Sequence, residues 1–192
     1  MLHAARECGA HLICVPRDVI DSSREGKIGV LYKQDDPTKP FLESDLDAYP
    51  SISEYRKYAD AKSAIIAIGA PSLIAGKAAE SLAAAGTPTD VFVVNHLPID
   101  ADKLSEIMAR YPGGITTVED NKIGNPGRGL RGFAGLVNSY RADGTRLVHI
   151  GISDASAYPA GSGDDMWDYF GISQKGIEAA VQGLAGKDVG GG

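Results

Sequence analysis

Four apolar runs of strand length, separated by stretches of helical spacing, constrain this chain more than any other feature. They are Ser63–Ile68 (SAIIAI), Val91–Val94 (VFVV), Gly114–Val118 (GITTV) and Arg146–Ile150 (RLVHI). A run that is apolar on both faces belongs in a sheet covered on both sides, and strands alternating with helices make that sheet parallel and doubly wound. The intervening stretches read as helices. Leu73, Ile74, Ala78, Leu82 and Ala85 recur at helical spacing over Ser72–Ala85, and Gly86 stands where a C-cap glycine belongs. Asp100 is placed to cap a helix running to about Arg110. Leu130–Tyr140 reads as the third helix, Trp167–Phe170 as a short one, and Ser173 as the cap of a last helix from about Gln174 to Leu184. Residues 62–186 are therefore expected to form an α/β domain, doubly wound around a mostly parallel sheet.

The first 60 residues follow a different pattern. Met1–Cys8 reads as the tail of a helix, Leu12–Val15 as a strand and Asp21–Tyr32 as helix-compatible. Asp35–Lys39 turns the chain, and Phe41-Leu42 begins a short extended piece. A strand–helix–strand of this size cannot bury both of its faces alone. Residues 1–46 are thus expected to be the partial α/β end of an incomplete domain, with an apolar patch around Leu12–Val15 and Phe41-Leu42. The polar, mixed stretch 47–61 reads as a linker, and 187–192, ending in three glycines, as a disordered tail.

Composition removes several classes of function. With 43% hydrophobic residues the chain can build a core, and a net charge of −6 opposes nucleic-acid binding, which needs a basic surface. No apolar run approaches the ~18 residues of a membrane span, and the N-terminus lacks the pattern of a signal peptide. Cys8 and Cys14 are the only cysteines and read as reduced core residues of a cytoplasmic protein, with a disulfide or a redox pair as the alternative. The four histidines are scattered and form no zinc pattern with them.

The segment Thr117–Val137, TVEDNKIGNPGRGLRGFAGLV, holds most of the candidate chemistry. Gly127-Arg128-Gly129-Leu130-Arg131-Gly132 is literally a G-x-G-x-x-G. A dinucleotide site places its glycine turn directly after the first strand, whereas seven residues, Asn121 to Gly127, separate Asp120 from Arg128 here, after the third. Three readings stay open, the first being the dinucleotide site itself, with Asp154 at a tolerable distance downstream for a ribose. The glycines let the helix pack closely against its surroundings, or Arg128 and Arg131, with Gly127 and Gly129 at a helix N-terminus, bind a phosphate or carboxylate. Glu119-Asp120-Asn121, at a strand end, reads as a capping or interface element or as an acid/base pair; adjacent acids on a strand alternate faces and so diverge. His96 reads as a loop histidine or a general base, and His149 as a core histidine with a satisfied ring. Asp164-Asp165 reads as helix-start acids more simply than as a metal site. Trp167, Tyr169 and Phe170 read as packing for the last helix.

The order and spacing of these segments are similar to the C-terminal domain of transketolase-like thiamine-diphosphate-dependent enzymes. The resemblance runs from Ala64 to Leu184 through the stretch ending NHLPID at Asp100, then TVEDN…GRGLRGFAGLV, then GSGDDMWDYFGISQKGIEAAV. Ahead of it, His11–Asp18 (HLICVPRD) and Lys39–Tyr49 (KPFLESDLDAY) resemble the end of the pyrimidine-binding domain, with a leaning toward the beta subunits of 2-oxo acid dehydrogenases. The resemblance implies an assembly or dimerisation region that binds no cofactor and catalyses nothing by itself. Thiamine diphosphate and Mg²⁺ would belong to a parent transferase completed by another chain or further domains, and a homo-oligomer is implied. The family's Gly-Asp-Gly metal motif does not occur in this sequence, and Leu42-Glu43-Ser44-Asp45 places acids where the family has an arginine for sugar phosphate. The alternative is a stand-alone anion- or nucleotide-binding module built on the Gly127–Gly132 turn.

Overall fold

The computed structural model describes residues 50–125, 127–154 and 160–185. The chain divides into two compact units, Met1–Pro50 and Ser51–Gly192. The expectations for residues 1–46, for Cys8 and Cys14, for the patch at Leu12–Val15 and Phe41-Leu42 and for the tail 187–192 lie outside the described residues.

The second unit is built on strands β1 (Ile52–Arg56), β2 (Ser63–Ile68), β3 (Thr89–Val94), β4 (Gly114–Asn125), β5 (Gly129–Leu130) and β6 (Leu147–Ser153). Its helices are α1 (Ser72–Ala84), α2 (Ala101–Arg110), α3 (Gly132–Ser139), α4 (Gly163–Tyr169) and α5 (Gln174–Ala185). The four runs expected as strands pair in parallel in the order β3-β2-β4-β6, with Ile65 opposite Val91 on one side and Thr116 on the other. The fold is α/β, mostly parallel and doubly wound. Successive residues of each central strand face opposite ways, so one core gathers Ala64, Ile66, Phe92, Val94 and Ile115 with Leu104, Ile107 and Met108 of α2 and Phe133 and Val137 of α3. The other gathers Ile65, Ala67, Val91 and Val118 with Ala75, Ala78, Ala79 and Leu82 of α1 and Ile177 and Val181 of α5.

Local signals set the helix ends. Asp100 Oδ1 accepts from Lys103 N at 3.0 Å and starts α2. Gly86, at φ +80°, lets the chain reverse after α1 while Thr87 N bonds Leu82 O at 2.8 Å. The short helix begins earlier than Trp167, because Ser162 and Asp165 form a reciprocal capping box.

Two segments depart from the sequence reading. Within the 47–61 stretch expected as linker, β1 lies antiparallel to β3, Ile52 opposite Val94. As an outer strand it tolerates polar residues on one side, while Ile52 enters the first core and the Tyr55 ring packs over Gly76 of α1, where a Cβ would stand 2.7 Å from Cε1. Second, β4 does not stop near Val118. It continues to Asn125 and folds back through β5, so Gly129 and Leu130 pair with Asn125 and Gly124 and the third helix opens only at Gly132.

A buried polar knot closes the opposite end of the sheet. Asp90 accepts from Tyr111 Oη at 2.5 Å and from Tyr58 N at 2.8 Å, tying β3 to the end of α2 and to the β1–β2 connection. Burial and the Asp90 carboxylate both push the Tyr111 hydroxyl well above the ordinary phenol range.

Candidate functional site

In an open parallel sheet, ligands sit at the carboxyl ends of the strands where neighbouring connections leave toward opposite faces. Here that place lies between β2, whose chain turns into α1 on one face, and β4, whose chain leads to α3 on the other. The residues on the β4 side are Glu119, Asp120 and the hairpin from Asn121 to Leu130.

Glu119 is the centre of this edge. It is 1% exposed, and its carboxylate accepts from the first-turn amides of α3, Phe133 N at 3.1 Å and Ala134 N at 2.7 Å. The helix terminus that would receive an external anion is therefore occupied by a carboxylate of the chain itself. Gly132, at φ +60°, makes the approach possible: a Cβ there would stand 2.7 Å from Glu119 Oε2. Burial raises the Glu119 pKa above its ordinary value, the two amides oppose that shift, and neighbouring Asp120 adds to it. Of the two readings of Glu119-Asp120-Asn121, the capping one is what the geometry realises. Asp120 is only half-buried and lies toward Gly69 at the end of β2.

The proposed anion donors are distributed differently from the sequence expectation. Gly127 N donates to Asn125 Oδ1 at 2.8 Å, and Arg128 N donates to Asn125 O at 2.9 Å, so both amides serve the turn. Gly129 belongs to β5. Arg131 pairs with Asp154 at 3.2 Å, and Lys122 reaches the other oxygen of Asp154 at 3.7 Å. Of the two arginines, Arg128 has the exposed side chain that makes no hydrogen bond or ion pair with the described residues. The G-x-G-x-x-G is thus divided between a turn, the short strand β5 and a helix start.

The histidines divide as well. His96 is exposed in the β3–α2 connection. The His149 ring meets Thr117 Oγ1 through Nδ1 at 2.7 Å, and burial, with Arg141 nearby, lowers its pKa. It is a satisfied histidine of the sheet. Asp165 belongs to the α4 cap, Trp167 and Phe170 pack against the second core, and Tyr169 stays 62% exposed. Sequence reasoning passed over Asp90 and Tyr111; an acid inside the apolar run TDVFVV was the available signal. Among the described residues no three His, Cys, Asp or Glu side chains gather as a metal-ligand set, and no helix is long and apolar enough to cross a membrane.

No protein-family model and no curated protein matches this sequence. Solved structures do. A split-gene transketolase described as an inactive β4 tetramer aligns with a TM-score of 0.56 at 23% identity, over 70% of this chain and 42% of that one. Transketolase from Campylobacter jejuni aligns at 0.52 and 15% identity, over 71% of this chain and 19% of that one. Transketolase from Leishmania mexicana aligns at 0.51 and 19%, over 71% and 18%. The fold is transketolase-like, and the chain spans less than half the length of the transketolases it matches.

Proposed function

We propose that this chain is the assembly region of a transketolase-like, thiamine-diphosphate-dependent enzyme, not catalytic by itself, with the cofactor machinery carried by further domains or a second chain. The observation that carries this reading is the internal occupancy of the α3 N-terminus by Glu119. An edge whose amides are spent on the chain's own carboxylate suits contact with protein better than capture of an anion. Two further facts support it: the similar transketolases extend well beyond the aligned region, and one of them, a split-gene transketolase, is described as an inactive β4 tetramer. In this reading the protein is a cytoplasmic homo-oligomer.

Thiamine diphosphate and Mg²⁺ belong, in this reading, to the assembled parent. The residues of this chain fit them poorly, since no Gly-Asp-Gly occurs in the sequence and the described carboxylates are engaged in caps and ion pairs or lie apart. In the rival anion- or nucleotide-binding reading, the Gly127 amide and the Arg131 side chain already have partners within the chain, and Arg128 is the natural residue to test. Thermal unfolding of the full chain separates the readings. A ligand at 100 times its dissociation constant stabilises by about 2.7 kcal/mol, a shift of several degrees. The expected result is no shift with thiamine diphosphate plus Mg²⁺ and none with NAD or phosphate. A shift with the first overturns the reading, and a shift with the second that Arg128→Ala abolishes installs the rival.

A further inference from the structure

We propose that His149 and Thr117 form an acid-sensitive latch, which holds the edge strand β6 on β4 while the imidazole is neutral and releases it when the ring takes a second proton. The latch is independent of the assembly reading. Among the described residues β6 pairs with β4 alone, in unbroken register from Leu147 to Ile150, so it is an edge strand held from one side. His149 stands opposite Thr117 in that register. Thr117 shares its face of β4 with Ile115 and Glu119, the face that α3 covers. It is fully buried, and its hydroxyl bonds His149 Nδ1 at 2.7 Å and nothing else among the described residues.

That single bond fixes where the protons sit. A hydroxyl carries one hydrogen, and a buried hydroxyl must place it on an acceptor. Here the acceptor is Nδ1, so the neutral ring carries its own hydrogen on Nε2. A second proton goes to Nδ1 and turns it into a donor. The Thr117 hydroxyl must then accept, and its hydrogen is left in the interior without a partner. The surrounding charges do not offset this cost. Arg141, just past α3, adds a like charge, and Glu119, two residues beyond Thr117, is spent on the Phe133 and Ala134 amides. α3 itself and the rest of β6 carry no ionisable side chain, Tyr140 at the end of α3 is exposed, and α5 covers the opposite face. Burial and Arg141 hold the His149 pKa below its ordinary 6.5. Below 6.5 the native state therefore binds fewer protons than the open one, and the hold on β6 weakens from there down to the folded value. The effect reaches the end of the strand. Asp154 follows β6 directly and pairs with Arg131 and Lys122, so a released β6 also loosens the β4–β5 hairpin.

Nitrogen NMR of the imidazole and amide hydrogen exchange, both on the full chain, test the latch. At neutral pH the His149 ring should show a protonated Nε2 and an unprotonated, hydrogen-bonded Nδ1, and it should titrate below 6.5. After correction for intrinsic chemistry, exchange in β6 and the hairpin should quicken by up to about tenfold per pH unit as the pH falls from 6.5 to the folded pKa. The β2 and β3 amides should keep their protection. His149→Asn, whose amide oxygen can stand in for Nδ1 but cannot titrate, should abolish the pH dependence. A hydrogen on Nδ1 of the neutral ring, β6 exchange indifferent to pH, a β2 that loosens in step with β6, or a His149→Asn chain that keeps the dependence would overturn the proposal. The ring spectrum needs only the wild-type chain, so a variant that fails to fold leaves the test standing. No ligand enters it, so this proposal and the assembly reading fail separately.

Discussion

At the scale of single residues, Glu119 organises the carboxyl edge. Deleting it leaves the buried Phe133 and Ala134 amides without acceptors, so Glu119→Ala should cost about 2–4 kcal/mol in a urea titration. Its pH dependence has a defined sign. The folded pKa is raised above the ordinary 4.5, so between those two values the native state holds more protons than the unfolded one. The group's contribution is therefore fully present below 4.5 and is lost as the pH rises through the folded value. The stability gap between wild type and Glu119→Gln should accordingly be larger at pH 4.5 than at pH 7; a gap that widens with pH would contradict the assignment. Not every buried polar atom has such an account. Ser72 Oγ and Thr116 Oγ1 are buried without a hydrogen-bond partner, and the structure offers no physical reason for either.

At the scale of elements, α4 depends on its cap more than on its packing. It is seven residues long and has no buried residue, while Ser162 and Asp165 bond one another reciprocally at its start. The Ser162 backbone and hydroxyl donors hold the Asp165 carboxyl below its ordinary value, so the capping bond persists at neutral pH and weakens as the pH falls. Removing the hydroxyl with Ser162→Ala should speed amide exchange in α4 roughly fivefold, with α1 and α5 unaffected. Equal protection of α4 in both proteins would show that Trp167 and Phe170 anchor it instead. The elements also show where periodicity informs and where it falls short. Ser63–Ile68, Asp100 and Gly86 carry signals that need only neighbours in sequence, and the strand, the cap and the reversal all form there. β4 beyond Val118 carries no apolar run, because its pairing partners are the two residues of β5 and the end of β6 rather than a covering helix.

At the scale of the whole molecule, every strand and helix of the described fold lies after Pro50. The described residues of both cores lie in the second unit, with α1 and α5 covering one face and α2 and α3 the other. A chain shortened to residues 51–192 should therefore unfold in one cooperative thermal transition. A broad, non-cooperative melt would show that the second unit needs residues 1–50 for its native packing.

The sequence by itself determined the architecture of this protein, because two-sided apolar strands alternating with helices have few other ways to bury themselves. The resemblance to transketolases rested on the same order of segments, and it holds at the level of the fold. Only the tertiary structure decided what the Gly127–Gly132 segment is. Its glycines, arginines and preceding acids fit an anion site when read along the chain, but Glu119 reaches 14 residues ahead to occupy the helix terminus, and Asp154 holds Arg131 from 23 residues away. Likewise β1 hides in a polar stretch because its strand character comes from the edge of β3, and not from its own composition. A site is a set of distances across the fold, and local sequence carries no measure of them.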